Sequence, residues 1–213
     1  MNFFTANLVD KLFSLLSLSH FTEFYYHDGA VMSRDRLFVL QDDQQGQDTP
    51  KAHVFISQDT HAGKNIINIS FMIEKVDGLA FNNFDPQNIA KADNLWQETC
   101  LECFIGLSDG SYLEINATPD GRYAIYHFED YRTPDVPTPT DKVSLHWRAD
   151  DNDNTVVYER HFSLDVSGIG GLLPSETLIN PCLILKINGK IHHLTTRHAT
   201  PPDFHNKAYW QKW

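Results

Sequence analysis

Apolar and polar positions alternate with a period of two along most of this chain, and turn-forming residues interrupt the alternation at short intervals. That pattern predicts strands at Phe21–Tyr26, Arg36–Gln41, His53–Gln58, Ile66–Ile73, Cys100–Leu107, Ser111–Thr118, Arg122–Phe128, Val143–Ala149, Thr155–Phe162, Cys182–Ile187 and Lys190–Thr195. Short connections between strands favour an all-β, antiparallel β-sandwich or barrel over alternating β-α units. Pro134-Asp-Val-Pro-Thr-Pro139 and Gly168-Ile-Gly-Gly-Leu-Leu-Pro174 read as loops inside one domain spanning residues 1–213. Only the beginning breaks the pattern. Val9, Leu12, Phe13 and Leu16 stand at i, i+3, i+4 and i+7, the spacing of a short amphipathic helix.

The stretch Leu95 to Arg132 is the most informative. Ser108-Asp109-Gly110 and Pro119-Asp120-Gly121 both suit a type I turn followed by a left-handed glycine, which would pair Leu107 with Ser111 and Thr118 with Arg122. One face then carries Leu101, Cys103, Ile105, Leu113, Ile115, Ala117, Tyr123 and Ile125, an apolar stripe that should face the core. The other face sets Glu102 beside Asn116 and Glu114 between Phe104 and Tyr126, with Tyr112 near Phe128. Trp96 and Glu98 share its parity. Carboxylates, an amide and large aromatics gathered on one side do not read as an ordinary solvent face.

Charge and composition narrow the chemistry. The 213 residues carry 28 acidic against 17 basic side chains, a net charge of −11 with no basic patch, which argues against nucleic acid as partner. With 41% hydrophobic residues the chain can bury a sizeable core. Asp10 and Lys11 precede the run Leu12–Leu18 where a secretory signal would carry a basic n-region, His20-Phe21-Thr22-Glu23 follows in place of a small-residue cleavage site, and the run is too short to span a bilayer, so a cytoplasmic protein without membrane contact is expected. Three cysteines fit a reducing compartment. Cys100 and Cys103, three apart in a strand, point to opposite faces, so no metal or redox pair is expected from them. His192, His193, His198 and His205 lack helical or hairpin ligand spacing; Asp203 and His205 are expected to tie down the loop around Pro201 and Pro202 through backbone or Arg197.

Sugars are bound by aromatic rings stacked on the C–H face and by carboxylates and amides that take hydroxyl hydrogen bonds. Glu102, Glu114 and Asn116 could supply the bonds, and Trp96, Tyr112 and Tyr126 the stacking. The bland alternative buries Phe104, Tyr112, Tyr126 and Phe128 beneath the N-terminal helix or loops. Two carboxylates on neighbouring strands also admit glycoside hydrolysis, though nothing else suggests a catalytic cleft.

The string Leu95-Trp-Gln-Glu-Thr-Cys-Leu-Glu-Cys-Phe-Ile105, with Tyr112-Leu-Glu-Ile-Asn-Ala-Thr-Pro-Asp-Gly-Arg-Tyr123 and Tyr126-His-Phe-Glu-Asp-Tyr-Arg132, resembles the bacterial DOMON-like family, which is related to type 9 carbohydrate-binding modules. His198-Ala-Thr-Pro-Pro-Asp-Phe-His205 resembles that family's closing segment, so the resemblance spans about Ile66 to His205. It implies a jelly-roll-like sandwich in which an aromatic, here Trp96, stacks on a terminal sugar while a strand glutamate, here Glu102, bonds its hydroxyls. A second stacking aromatic comes from late in the chain, where the first tryptophan here is Trp210. Other DOMON relatives hold haem through Met and His; Met32 and Met72 exist, but Met72 reads as core. The expected function is thus a non-catalytic module for carbohydrate or another small polar ligand, without cofactor or metal. The candidate contacts are Trp96, Glu102, Glu114, Asn116, Tyr126, Arg132, Asp203 and His205. The competing readings are a protein-interaction scaffold of the same fold, a haem-binding domain and a glycoside hydrolase.

Overall fold

The computed structural model describes residues 34–44, 49–134, 144–150, 156–169 and 173–213. The helix expected near Val9–Leu16, the strand expected at Phe21–Tyr26, and Met32 lie outside them. The described residues form twelve antiparallel strands: β1 (Arg34–Asp42), β2 (Ala52–His61), β3 (Lys64–Glu74), β4 (Cys100–Gly106), β5 (Tyr112–Ala117), β6 (Tyr123–Asp130), β7 (Thr133–Pro134), β8 (Ser144–Asp150), β9 (Val157–Asp165), β10 (Leu178–Ile187), β11 (Lys190–Thr195) and β12 (Gln211–Lys212). Each internal strand sits on a stretch where the alternation predicts one. The two-residue strands β7 and β12 are too short to leave a periodic signal.

The strands run in the order β7-β6-β5-β4-β10-β11-β1-β2-β3-β9-β8, with β12 beside β10. β1 is the joint between two wings. It pairs with β2 through Arg34–Leu40 and with β11 through Gln41 and Asp42. Both wings feed a single buried cluster: Val54, Ile56, Ile69 and Phe71 from one, and Leu101, Ile105, Ile115 and Leu183 from the other.

The register across β4, β5 and β6 follows from its two turns. Leu107 N–H donates to the Ser111 carbonyl (2.9 Å) and Thr118 N–H to the Arg122 carbonyl (2.9 Å), the expected closures. Gly121 stands at φ +113°, and a Cβ there would meet the Asp85 carbonyl and the Phe84 ring at 3.3 Å, so both conformation and space exclude a larger residue. Glu102 therefore faces Asn116, Phe104 faces Glu114, and Glu114 faces Tyr126. The odd-numbered residues Leu101 to Ile125 go to the main core, as the alternation requires.

The even-numbered face builds a second, smaller apolar cluster from Cys100, Phe104, Tyr112, Ala124, Phe128 and Ile184, capped by Phe204 and Trp210. Its lid is thus the C-terminal segment. The Phe204 carbonyl accepts from both Asn180 Nδ2 (3.1 Å) and Trp210 Nε1 (2.8 Å), which pins that lid to β10.

One buried cation ties the two wings together. Arg160 on β9 is fully buried, donating from Nε to the Pro119 carbonyl (2.7 Å), from NH1 to the Glu159 carbonyl (2.8 Å) and from NH2 to the Asn82 carbonyl (3.1 Å). Its guanidinium also lies over the Phe81 ring, 5.0 Å from the centroid. It thereby anchors the β5–β6 turn and the long β3–β4 connection. Arg160→Leu is expected to leave those carbonyls without their donor and to cost roughly 3 kcal/mol or more. Urea unfolding measures this as a lowered midpoint at unchanged slope; a loss under about 1 kcal/mol would contradict the anchoring role.

Candidate functional site

At the edge of the second cluster the even-numbered face stays open and forms a cavity of about 680 Å³. Its floor is β4, β5 and β6, which contribute Glu102, Phe104, Glu114, Tyr126 and Phe128. Its rim comes from connections: Asp93, Asn94 and Trp96 before β4, Arg132 and Pro134 after β6, and Pro202 to His205 from the closing loop, with Ile184 and His193 completing one side. Seven of the eight candidates named from the sequence line it: Trp96, Glu102, Glu114, Tyr126, Arg132, Asp203 and His205. Asn116 does not. It is fully buried behind the floor, where Nδ2 donates to Glu114 Oε1 (2.8 Å), so it orients a carboxylate.

Tyr112 follows the alternative reading of this face, in which the aromatics are covered. Instead of offering a stacking face, it is sealed in the apolar cluster, stacked on Phe128 with ring centroids 4.8 Å apart. Only its hydroxyl is used. Arg132 N–H donates to it (3.1 Å), and it lies 2.8 Å from His205 Nδ1. The hydroxyl thus bridges the Arg132 backbone and the imidazole. Nε2 faces Glu114 Oε2 at 3.7 Å. Burial, followed by the nearby Arg132 charge, pushes the His205 pKa down to about 4, so the ring is neutral at pH 7.

The expected tether between the closing loop and Arg197 is replaced. Asp203 takes Arg132 NH2 on Oδ1 (2.8 Å), the Tyr131 hydroxyl on Oδ2 (2.6 Å) and the His205 amide on Oδ1 (3.2 Å). Arg197 instead lies over Tyr209. On the opposite rim the Tyr126 hydroxyl donates to Asp93 Oδ1 (2.8 Å). Trp96 and Glu98 part company despite their shared parity. Trp96 belongs to a 3-10 turn, Leu95–Gln97, entered through Asn94 at φ +60°, and 53% of it is exposed at the cavity mouth. Glu98 turns away into a two-bond pair with Arg122. Asp93 and His193 were not singled out in the sequence. Asp93 sits in an irregular stretch without periodicity, and His193 is one of two adjacent histidines that alternation alone does not rank.

Glu102 is the unusual group. It is only 2% exposed, lies against Cys182 on β10, and its Oε1 has no hydrogen-bond partner among the described residues. Burial raises its pKa well above the usual carboxylate range, and the Glu114 charge raises it further. Glu114 is also raised by burial, with Asn116 and Arg132 pulling it back. Cys100 belongs to the outer cluster and Cys103 to the main core, so the two thiols do not meet. His192 Nδ1 binds Asp42 (3.0 Å) and His198 Nε2 the Gln41 carbonyl (2.6 Å), away from the cavity. Trp210 is buried in the lid, so the second aromatic wall is Tyr126 with the edges of Phe104 and Phe128.

No protein-family model matches the chain, and no curated protein matches it. Among solved structures, a candidate carbohydrate-binding protein from Bacteroides uniformis aligns over 82% of this chain and 84% of its own, at 14% identity and a TM-score of 0.49.

The Glu102 environment has a measurable consequence. Its folded pKa is raised, so the unfolded chain loses the proton first, from about its ordinary value of 4.5 upward. The stability contributed by the protonated form is complete below that value and declines as pH rises toward the folded pKa. Glu102→Gln has no such limb. It is expected to match the native protein near pH 4 and exceed it at pH 8 by about 1–3 kcal/mol, the cost of an unpaired buried polar group. Thermal melts across this range check it; a difference that does not change with pH would exclude Glu102 as the titrating group.

Proposed function

We propose that this chain is a non-catalytic binding module for carbohydrate, built on a jelly-roll-like sandwich of the DOMON-like and type 9 carbohydrate-binding kind. The observation that carries the reading is the pairing of Glu102, a buried carboxyl with an unused oxygen on the cavity floor, with Trp96, an exposed indole at its mouth. Leaving a polar atom buried and unpaired costs free energy, and such a cost is offset when a ligand supplies the missing partner. An exposed tryptophan beside it offers an apolar plane to a sugar's C–H face. Tyr126, Arg132, Asp203, Glu114 and His205 complete the polar surroundings.

Hydrolysis fits this floor less well. Glu102 and Glu114 are diagonal across the β4–β5 ladder, because Glu102 faces Asn116 and Glu114 faces Phe104. Both carboxyls are raised by burial, whereas hydrolysis needs one of the two ionised as nucleophile or base.

Calorimetric titration with a panel of mono- and disaccharides, read alongside intrinsic tryptophan fluorescence, tests the proposal. A saturable heat with a change in indole emission is expected, and Trp96→Ala should weaken binding at least about tenfold, equivalent to ~1.4 kcal/mol. Silence across the whole panel would refute the reading. Turnover of a chromogenic glycoside that vanishes in Glu102→Gln would replace it with the hydrolase.

A further inference from the structure

Resting on the reading above, we infer that the cavity takes a cationic sugar, one bearing a free amino group, with the ammonium seated against Glu102 and Glu114. The argument begins with a charge count. Asp93, Glu102, Glu114 and Asp203 line the cavity, against one arginine, Arg132. Arg132 is committed to Asp203 at 2.8 Å. The imidazole nearest Glu114, His205, is neutral at pH 7 and contributes no charge. His193 directs Nδ1 toward Asp43 Oδ2 at 4.0 Å. Among the described residues, no lysine or arginine forms an ion pair with Glu102, Glu114 or Asp93. The floor is therefore a carboxyl pair without a cation of its own.

A cluster of acids alone would not define a ligand; the orphan atom does. Glu102 Oε1 is buried without a partner while Glu114 Oε1 is already occupied by Asn116 Nδ2. Two acceptor oxygens thus remain on the floor, Glu102 Oε1 and Glu114 Oε2, the latter with only the His205 Nε2 at 3.7 Å. An ammonium brings three donors and a positive charge, and both are what this pair lacks. A sugar hydroxyl brings one donor and no charge, leaving one carboxyl protonated to avoid repulsion across the ladder.

Seating the cation also changes the proton balance. In the empty cavity burial favours the protonated form of Glu102. An ammonium beside it stabilises the carboxylate, so the proton leaves to solvent as the amine enters, and no other bond changes.

The test titrates the protein at pH 7 with glucosamine, galactosamine and mannosamine, each beside its neutral parent sugar, in two buffers of different ionisation heat. At least one amino sugar should bind ten or more times tighter than its parent and release protons on binding, while the parent releases none. Glu102→Gln should reduce that preference to under twofold, and Trp96→Ala should weaken amino and neutral sugars by the same factor. A neutral sugar that binds as tightly as its amino counterpart, or a preference that survives Glu102→Gln, overturns the cation assignment and leaves the carbohydrate module standing. Silence from all six sugars overturns the assignment, and silence across the wider saccharide panel removes the module reading with it.

Discussion

The pairing of β4, β5 and β6 is the constraint from which the cavity follows. Leu101, Cys103, Ile105, Leu113, Ile115, Ala117 and Ile125 enter the main core, and a slip of one residue in β4 or β5 would drive a carboxylate or amide there instead. Two turns with left-handed glycines lock this register from the ends. Glu102, Glu114 and Asn116 are therefore held on the outer face by the energetics of the inner one. That outer face would be an open sheet surface were it not for the C-terminal lid. Phe204 and Trp210 cover most of it, held through the doubly bonded Phe204 carbonyl, and the uncovered end is the cavity.

The same physics explains what was legible in the sequence. Strand positions, the register of β4–β6 and the company kept by Glu102 and Glu114 all follow from period-two alternation and two turn motifs, which are local signals. The eight candidate contacts inherit that accuracy where they lie on the floor and its flanks. Asn116 shows the limit: parity places it on the right face but cannot tell a residue at the cavity from one sealed behind it, since that depends on the distant segment that covers it. Tyr112 fails for the same reason, beneath Phe204 and Trp210. Arg132 and Asp203 are 71 residues apart, and their ion pair has no sequence signature. Arg160 is equally silent: no local signal in the sequence marks it, and only the approach of Pro119 and Asn82 makes it an anchor.

Burial acts on the two titratable groups of the cavity with opposite sign. It keeps Glu102 protonated and His205 deprotonated, the neutral form in each case. His205 contributes stability above its ordinary value of 6.5 and loses it as pH falls toward about 4. Glu102 contributes below 4.5 and loses it as pH rises. Between those two values the slopes of His205 and Glu102 oppose each other, and Glu114, also raised by burial, acts in the same sense as Glu102. The Tyr112 hydroxyl holds the imidazole on its Nδ1 side, so that Nε2 faces Glu114. The floor is thus a set of neutral or paired groups, with the Glu102 Oε1 the atom left over.

The rim differs from the floor in origin and in what it can vary. Floor residues sit on strands whose positions the core dictates. Trp96, Asp93, Arg132 and Asp203 sit on connections that the core does not constrain, some through left-handed backbone at Asn94 and Arg132. Yet the rim is not loose, because Tyr126 with Asp93, and Arg132 and Tyr131 with Asp203, lock it from both sides before any ligand arrives. A ligand therefore has few side chains to order, and less of its contact energy is spent on immobilising them. The consequence is a division of labour. Which functional group is held depends on the carboxyl floor, while how large a molecule enters depends on the rim, so changes in the connections can alter ligand size without disturbing the chemistry that β4 and β5 impose.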